Sequence, residues 1–423
     1  MDTNDIIVVG AGAAGLMAAG QAARAGARVL VLEKMDYPAR KLGITGKGRC
    51  NLTNTAEPED CIARFGAGGA FVRDSLTAFD NRALMDFFNG LGIELVQERG
   101  GRVFPAHARA PRVARALRAW CEAGGARIVC DSTVTGICHA SGRCTGVNCG
   151  RRTFSSRAVI LTTGGASYPL TGSTGDGYRM CGEVGHSIAP VRPALVGLTT
   201  REGRQCGCSG LVVRNVTARL RVNGRTRMEE FGELHLMDYG LAGPVILRIS
   251  GVAVDALRAR KQVSVSIDLK PALGRDKLAA RLRRDVERRA GEKLGSLLRG
   301  LLPRALIGVC CSQTGLRHGS PVSALKEQCR ERLLDWLKDF SHTITGHRPL
   351  DEAIITAGGV RLREVDPHTM ESRLLQGLYI AGELLDLQAD TGGFNLQAAF
   401  STARAAGLAA AAAVSEDSDG RRL

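Results

Sequence analysis

Three glycines near the start of the chain restrict its fold more than any other feature. In DIIVVGAGAAGLMAAGQAARAG, Gly10, Gly12 and Gly15 follow the short apolar run Asp5 to Val9. They open a helical pattern, Leu16 to Ala25, that Gly26 ends as a residue just past a helix C-terminus should. ARVLVLEK then reads as a second strand ending at Glu33, so a complete β-α-β unit fits within about 30 residues. A glycine triplet between strand and helix is the context that gives G-x-G-x-x-G its meaning. Gly10 permits the tight turn, Gly12 lets a pyrophosphate reach the backbone, and Gly15 lets the helix pack against the strand. With Ala13 and Ala14 they form a helix N-terminus whose free N–H groups and positive dipole end attract phosphate.

Glu33 lies 18 residues beyond Gly15. An acid at that strand end hydrogen-bonds ribose hydroxyls and repels a 2′-phosphate, so this site suits FAD or NAD rather than NADP. No second G-x-G-x-x-G with its own β-α-β unit follows, which leaves no separate nicotinamide domain. Two later segments select FAD. VILTTGG, Val159 to Gly165, looks like the second-strand ATG segment of flavoproteins with the two-dinucleotide fold, and LYIAGELLD, Leu378 to Asp386, like their late strand carrying G-[DE]. Glu383, after Gly382, is then placed at the ribityl chain or pyrophosphate. TGGFNLQAA opens the last long helix, and its Gly392–Leu396 N–H groups, Gly393 and Phe394 included, are aimed at the N1/C2=O edge of the ring, where a helix N-terminus stabilises the negative charge of reduced flavin.

The rest of the chain divides by texture. The expected organisation is an α/β Rossmann-like FAD-binding domain that is discontinuous, with an inserted β-barrel-like domain and a helical domain. Residues 1–190 supply its first part, including a helix over Asp74–Leu91, a strand pair turning at Gly100–Gly101, a helix over Arg112–Ala123 and a small sheet from ARIVCDSTVTGICHA and GRCTGVNCG. Residues 191–273, which include MEEFGELHLMDYGLAGPVILRIS, show alternation and turns and read as β-rich. Residues 274–340 read as helical and charged, 341–350 as a return strand, 351–415 as the second part of the FAD domain with its alanine-rich helix Leu396–Val414, and 416–423 as a disordered tail.

Composition excludes several classes. The chain has 423 residues, 44% hydrophobic and 23% charged, enough to bury large cores without disulfides. No run of about 18 apolar residues is found, which argues against a membrane span. MDTNDIIVVGAGAAG has no signal-peptide pattern, so a cytoplasmic protein is expected. Thirteen scattered cysteines carry no zinc-site spacing and no metal is expected; they read as small apolar residues, with Cys206/Cys208 the one candidate redox pair. The net charge is +15, but aspartate and glutamate interrupt the densest cluster, RLRRDVERR, and aromatics are only 4% of the chain. Those facts argue against a nucleic-acid stacking platform and suit an anionic small-molecule substrate. Nothing in the sequence sets the oligomeric state.

The segment KLGITGKGRCNLTN, Lys41 to Asn54, is Gly-rich and cationic and leaves Glu33 toward the ring end of the cofactor. Gly43, Gly46 and Gly48 suit unusual backbone angles and Arg40, Lys41 and Arg49 can balance pyrophosphate charge, with Cys50 a packed small residue.

With RKLGITGKGRCNLTN, the chain resembles a known family through GAGAAGLMAA, GGRVFP, TTGGASYPLTGSTGDGY, YGLAGPVIL, ITAGGV and YIAGELLDLQADTGGFNLQAAFSTARAAG, a set spread over nearly its whole length. The family is the BaiN-like flavoproteins, which include a 3-dehydro-bile-acid Δ4,6-reductase and an aminoacetone oxidase. The resemblance implies FAD contacts at Ala14, Glu33, Lys34, Arg40, Lys41, Gly46, Arg49, Asn51, Val134, Thr163, Gly164, Asp176, Glu383, Asn395 and Leu396. LTTG at Leu161–Gly164 stands where family members more often have LATG. Asp176 has two compatible readings, an acid near the flavin or an N-cap of the helix beginning at Tyr178.

Three function classes fit these residues. The first is an NADH- or NADPH-dependent flavin reductase of a conjugated ketone, which puts hydride on the β-carbon and a proton on the α-carbon and needs a hydrogen-bond donor or cation at the carbonyl oxygen for enolate charge; Tyr168, Arg49, His107 and His235 are the candidates. The second is an oxidase of an amine or amino-ketone using oxygen, and the third is an RNA-associated flavoprotein.

Overall fold

A computed structural model describes residues 4–202 and 208–419, with side chains to residue 416. The candidate pair Cys206/Cys208 has one member, Cys206, outside the described residues. The chain forms two compact units, 1–192 with 350–423, and 193–349.

The first unit is built on a five-stranded parallel sheet. Ile6–Val9 is its centre, flanked on one side by Val29–Leu32 and then Arg127–Val129, on the other by Ala158–Leu161 and then Leu378–Ile380. Four of these strands are buried throughout, as continuous apolar runs covered on both faces must be. The helix Ala13–Arg24 lies against the last helix, Phe394–Asp419, so closely that a Cβ on Gly407 would stand 2.4 Å from the Ala18 carbonyl oxygen. Within the last helix, Phe394–Glu416 meets the length and hydropathy of a membrane span, which inspection of the sequence does not find. More than half of that window is buried in the protein, and Phe400 meets Phe88 edge-on at 5.4 Å, so we describe it as a core helix. It also runs on to Asp419, past residue 416 where a disordered tail is expected.

The expected helix over Asp74–Leu91 is two helices, Gly69–Ala78 and Asn81–Gly90. The break has a local cause: Asp80 leaves helical geometry and its carboxylate caps the second helix through the Ala83 N–H, 2.8 Å. The small sheet of Val134–Ala140, Arg143–Cys149 and Arg152–Ser155 forms as expected, except that Arg127–Val129 joins the main sheet instead.

The second unit is a closed six-stranded barrel. Leu198–Thr200 pairs with Gly240–Ala242, followed by Arg225–Met237, Leu211–Val222, Val263–Asp268 and Phe340–His347, which closes onto the first strand. Four helices, Arg275–Arg288, Leu294–Arg299, Arg304–Thr314 and Glu327–Lys338, share the barrel's apolar core. The ranges 191–273, 274–340 and 341–350, separate in the sequence reading, therefore make one unit. GPVILRIS is also not strand: Pro244 stands at the first turn of a helix running to Arg258, where its missing N–H costs nothing.

His342 in this barrel is buried against Phe340, with Glu202 at 4.0 Å. Burial pushes its imidazole down from 6.5 to about 4. The unfolded chain therefore takes up this proton first as pH drops. Stability from this residue is complete above 6.5 and is lost as pH falls toward 4. The loss at pH 5 is about 2 kcal/mol. Thermal melts at pH 7.5 and 5 should show the drop in the wild-type protein and a smaller one in His342→Leu; equal drops would exclude His342 as the source.

Candidate functional site

The turn from Val9 into the first helix has the geometry the three glycines require. Gly10 holds φ +94°, and a Cβ there would lie 2.9 Å from the Thr162 carbonyl oxygen. A Cβ on Gly15 would be 1.8 Å from the Gly10 carbonyl oxygen, whereas one on Gly12 would meet nothing within 4 Å. Gly12 thus borders open space at a helix N-terminus with no acid in its first turn. Thr162 braces the turn from the next strand, its hydroxyl donating to the Val9 and Gly10 carbonyls at 3.0 and 2.9 Å.

Glu33 is buried at the end of the second strand and accepts from the Ala11 N–H at 2.7 Å and the Met35 N–H at 2.9 Å. It braces the glycine turn, a role the sequence reading did not assign, and retains lone pairs for a ribose hydroxyl. The Glu33 carbonyl accepts from Ser132 N–H at 2.8 Å, which brings the strand beginning at Val134 to this end of the site.

The chain entering the Lys41–Asn54 segment is tied to the same turn. Ala39, at φ +60°, donates its N–H to the Ala11 carbonyl at 2.8 Å. Gly46, Lys47 and Gly48 are all left-handed, at φ +58°, +58° and +81°, while Gly43 keeps an ordinary φ, contrary to expectation. Cys50 is also left-handed and wholly buried, and burial pushes its thiol up to about 12, so it is a packed neutral group.

Lys41 is the centre of this site. Its ammonium donates to Glu383 Oε2 at 2.7 Å, Ser167 Oγ at 2.9 Å and Ser173 Oγ at 3.2 Å. Glu383 in turn accepts from the Thr356 and Gly165 N–H groups at 2.9 and 3.2 Å. Thr356 Oγ1 accepts from the Ala166 and Ser167 N–H groups, and the Tyr178 hydroxyl donates to the Glu383 carbonyl at 3.3 Å. Sequence reasoning picked Lys41 and Glu383 separately but missed their pairing and missed Thr356, Ser167, Ser173 and Tyr178. The signal was present, since these lie in ITAGGV and TTGGASYPLTGSTGDGY.

Lys34 extends the network, donating to Thr174 Oγ1 at 2.5 Å and Asp176 Oδ2 at 2.6 Å. Burial raises the Asp176 carboxyl, but hydrogen bonds from Lys34 and Thr174 outweigh it and hold the group below its usual range. Asp176 is not an N-cap: the helix begins at Asp176 itself after left-handed Gly175. Gly164, at φ +74°, and Thr163 lie between the glycine turn and Glu383, and the Thr163 hydroxyl is buried with no partner.

At the other end, Asn51, with its amide turned to satisfy its neighbours, donates to the Thr53 and Val103 carbonyls at 3.1 and 3.2 Å and accepts from the Gly393 N–H at 3.0 Å. Asn54 donates to the Gly392 carbonyl at 3.1 Å. Asn395 accepts from the Ala389 N–H and donates back to the Ala389 carbonyl, both at 2.9 Å. The Asn51 and Asn395 side chains, expected at the cofactor, also shape the turn before the last helix. Gln397 N–H makes the first intrahelical bond, to Gly393, which leaves the Phe394, Asn395 and Leu396 N–H groups as the first-turn donors.

The candidates for a donor or cation at the substrate carbonyl scatter, as does Arg40, expected at the pyrophosphate. Arg49 pairs with Glu98 and lies 4.3 Å above the Phe104 ring, and Arg40 pairs with Asp36 at 3.4 Å. His107 is exposed, 3.7 Å from Glu94, and shares no hydrogen bond with the group around Glu383. His235 belongs to the barrel unit and bonds Glu233 at 2.8 Å. Tyr168 alone shares the loop that Lys41 reaches, holding a left-handed φ of +53° one residue after Ser167.

These residues fit FAD. The open face of Gly12 leaves room for a pyrophosphate at the helix N-terminus, and Lys41 and Lys34 supply positive charge on the segment that follows Glu33.

Comparison with known proteins gives the same picture. Residues 4–409 match the model of the HI0933-like protein Rossmann domain family. A 3-dehydro-bile acid delta(4,6)-reductase of Clostridium scindens is 32% identical over 96% of this chain and 99% of its own. A ribosomal RNA dihydrouridine synthase of Escherichia coli is 29% identical over 95% of this chain and 97% of its own. In fold, a flavocytochrome c3 fumarate reductase aligns with 97% of this chain and 78% of its own, at TM-score 0.53 and 17% identity. The 3-ketosteroid-delta4-(5alpha)-dehydrogenase of Rhodococcus jostii RHA1 aligns with 97% of both chains at TM-score 0.52 and 18% identity.

Proposed function

We propose, because this chain belongs to the HI0933-like family of FAD-binding Rossmann proteins, that it is an FAD-dependent oxidoreductase that uses NADH or NADPH to reduce a C=C bond conjugated with a carbonyl. The observation that carries this reading is full-length similarity to the bile acid reductase and the dihydrouridine synthase. Both names describe adding hydrogen across a C=C bond, and in uracil, as in a 3-oxo-Δ4 steroid, that bond is conjugated with a carbonyl. Bound FAD supplies hydride chemistry at its N5. The chain supplies the glycine turn and helix N-terminus for the pyrophosphate, Glu33 for the ribose, and the Phe394–Leu396 N–H groups for developing negative charge. Tyr168 is the side chain we assign to the substrate carbonyl, as the candidate donor on the loop that Lys41 anchors.

The test is anaerobic mixing of the flavin-loaded protein with NADH or NADPH in a stopped-flow instrument. The visible flavin band should bleach with at least one of the two. A band that persists with both would sink the reductase reading and leave the oxygen-using oxidase.

A second reading places the C=C bond in uridine of an RNA, which revises the sequence-level argument against nucleic acid. The favouring observation is where the charge lies. Residues 193–349 hold 28 Lys and Arg against 15 Asp and Glu, a net +13 of the chain's +15. An RNA incubated with the protein and NADPH, then digested to nucleosides, should contain dihydrouridine; its absence would return the substrate to small ketones.

A further inference from the structure

Charge of this size on one unit asks where it is displayed. The hairpin Leu211–Val222 and Arg225–Met237 turns at Asn223–Gly224, with φ +49° and +75°, the geometry of a two-residue turn in which both central residues are left-handed. The loop from the helix ending at Arg258 to the strand beginning at Val263 is docked on that turn. Asn223 donates its N–H to the Gln262 carbonyl at 2.9 Å, and Gln262 N–H donates to Asn223 Oδ1 at 3.0 Å. Two segments distant in sequence thereby present Arg225 and Arg227, and Arg258, Arg260 and Lys261, at one rim of the barrel.

All five are exposed. Among the described residues none of the five has a carboxylate partner, while nearby acids are already engaged: Glu229 with Arg219 at 2.6 Å and Asp339 with Arg221 at 3.0 Å. Elsewhere on this unit some basic residues are paired, as Arg275 is with Glu331 and Asp335, and Arg289 with Glu292, while others stand singly along its helices; the rim differs in that two separate segments bring five together. Five unneutralised cations gathered at one rim raise the local positive potential and attract a polyanion. None of the residues at the rim itself is a large exposed apolar side chain that could enter a bilayer; the exposed Val212, Phe231 and Val252 of this unit lie further along their strands and helix.

We propose that this rim, Arg225, Arg227, Arg258, Arg260 and Lys261, is a docking surface on the barrel unit for the phosphate backbone of RNA. It takes its choice of polyanion from the second functional reading, and it concerns binding alone. Backbone contacts of this kind position a nucleic acid without reading its bases.

The measurement is fluorescence anisotropy of a fluorescein-labelled single-stranded RNA with the flavin-loaded protein over a KCl series. Five phosphate contacts on a single strand predict a log–log salt slope of about −3.5, so affinity falls roughly a hundredfold between about 50 and 200 mM. The variant R225Q/R227Q/R258Q/R260Q/K261Q should lose most of that affinity and slope, and a five-lysine counterpart should keep both. Flavin content and bleaching by NADPH should be unchanged, which shows the protein is folded. No RNA binding by the wild type, or an unchanged affinity and slope in the glutamine variant, would overturn the proposal. So would binding to phosphatidylserine vesicles but not to RNA. RNA binding without dihydrouridine formation would leave the docking surface standing and remove only the RNA-substrate reading.

Discussion

A Gly15→Ala protein is expected to lose its flavin and to melt well below the wild type. The added methyl would stand 1.8 Å from the Gly10 carbonyl oxygen and 2.7 Å from the Thr162 hydroxyl. The hydroxyl can rotate away, but the carbonyl is fixed in a turn tied by Gly10 N–H to the Leu32 carbonyl at 2.8 Å. Overpacking of this kind costs about 1–3 kcal/mol, and a backbone obstacle puts it at about 3. Gly12→Ala gives the contrast, because its Cβ would meet no protein atom within 4 Å. That variant should fold with an unchanged apoprotein melting temperature yet bind FAD at least about tenfold more weakly, since the methyl occupies the space a pyrophosphate needs. Flavin stoichiometry after purification and the apoprotein melting temperature separate the two. A Gly12→Ala protein with full flavin content would show that the phosphates do not pass this point.

The second large effect is expected at Glu383. Truncation to alanine removes acceptors for Lys41, two backbone N–H groups and, at 3.4 Å, the Ser167 hydroxyl. Stranding a buried charge costs about 3–5 kcal/mol, but both partners here keep about a quarter of their side-chain exposure, so solvent screening reduces this to about 3. Flavin retention should fall with it, because the segments Gly165–Ser173, Ile354–Thr356 and Lys41 are all held through this carboxylate. Lys41→Met and Glu383→Gln, singly and together, test the pairing. The two substitutions should be coupled by about 1 kcal/mol or more; additive effects would mean that the ion pair does not act as a unit.

What the sequence discloses and what it withholds follow the range of the interactions. The glycine turn and the strands flanking it are legible because strand, turn and helix follow one another within a few residues, and Glu33 by its spacing from that turn; how the strands pair is not. The family resemblance and the α/β architecture with an inserted barrel are borne out. The Lys41–Glu383 pair spans 342 positions, and no local pattern announces it. The family resemblance names Asn51 and Asn395 as cofactor contacts, and the structure adds that both side chains hold backbone around the turn before the last helix. Two errors had readable signals. Asp80 before Asn81-Arg-Ala-Leu is an N-cap, and Gly243-Pro244 is a helix start, but surrounding hydrophobic periodicity outweighed both in the reading.

The insertion of the barrel between residues 192 and 350 also orders the protein's synthesis. The barrel unit is one continuous stretch and can close as soon as the ribosome has passed it. The flavin-binding unit must wait. Its outer strand Leu378–Ile380 pairs with Ala158–Leu161 across more than two hundred residues, and the helix that covers Ala13–Arg24 comes later still. A nascent chain therefore carries an open Rossmann half while its barrel is already folded, and Glu383 is absent when Lys41 emerges. Cofactor capture is consequently a late event in biogenesis, and flavin supply bears on the final maturation step rather than on the folding of the barrel.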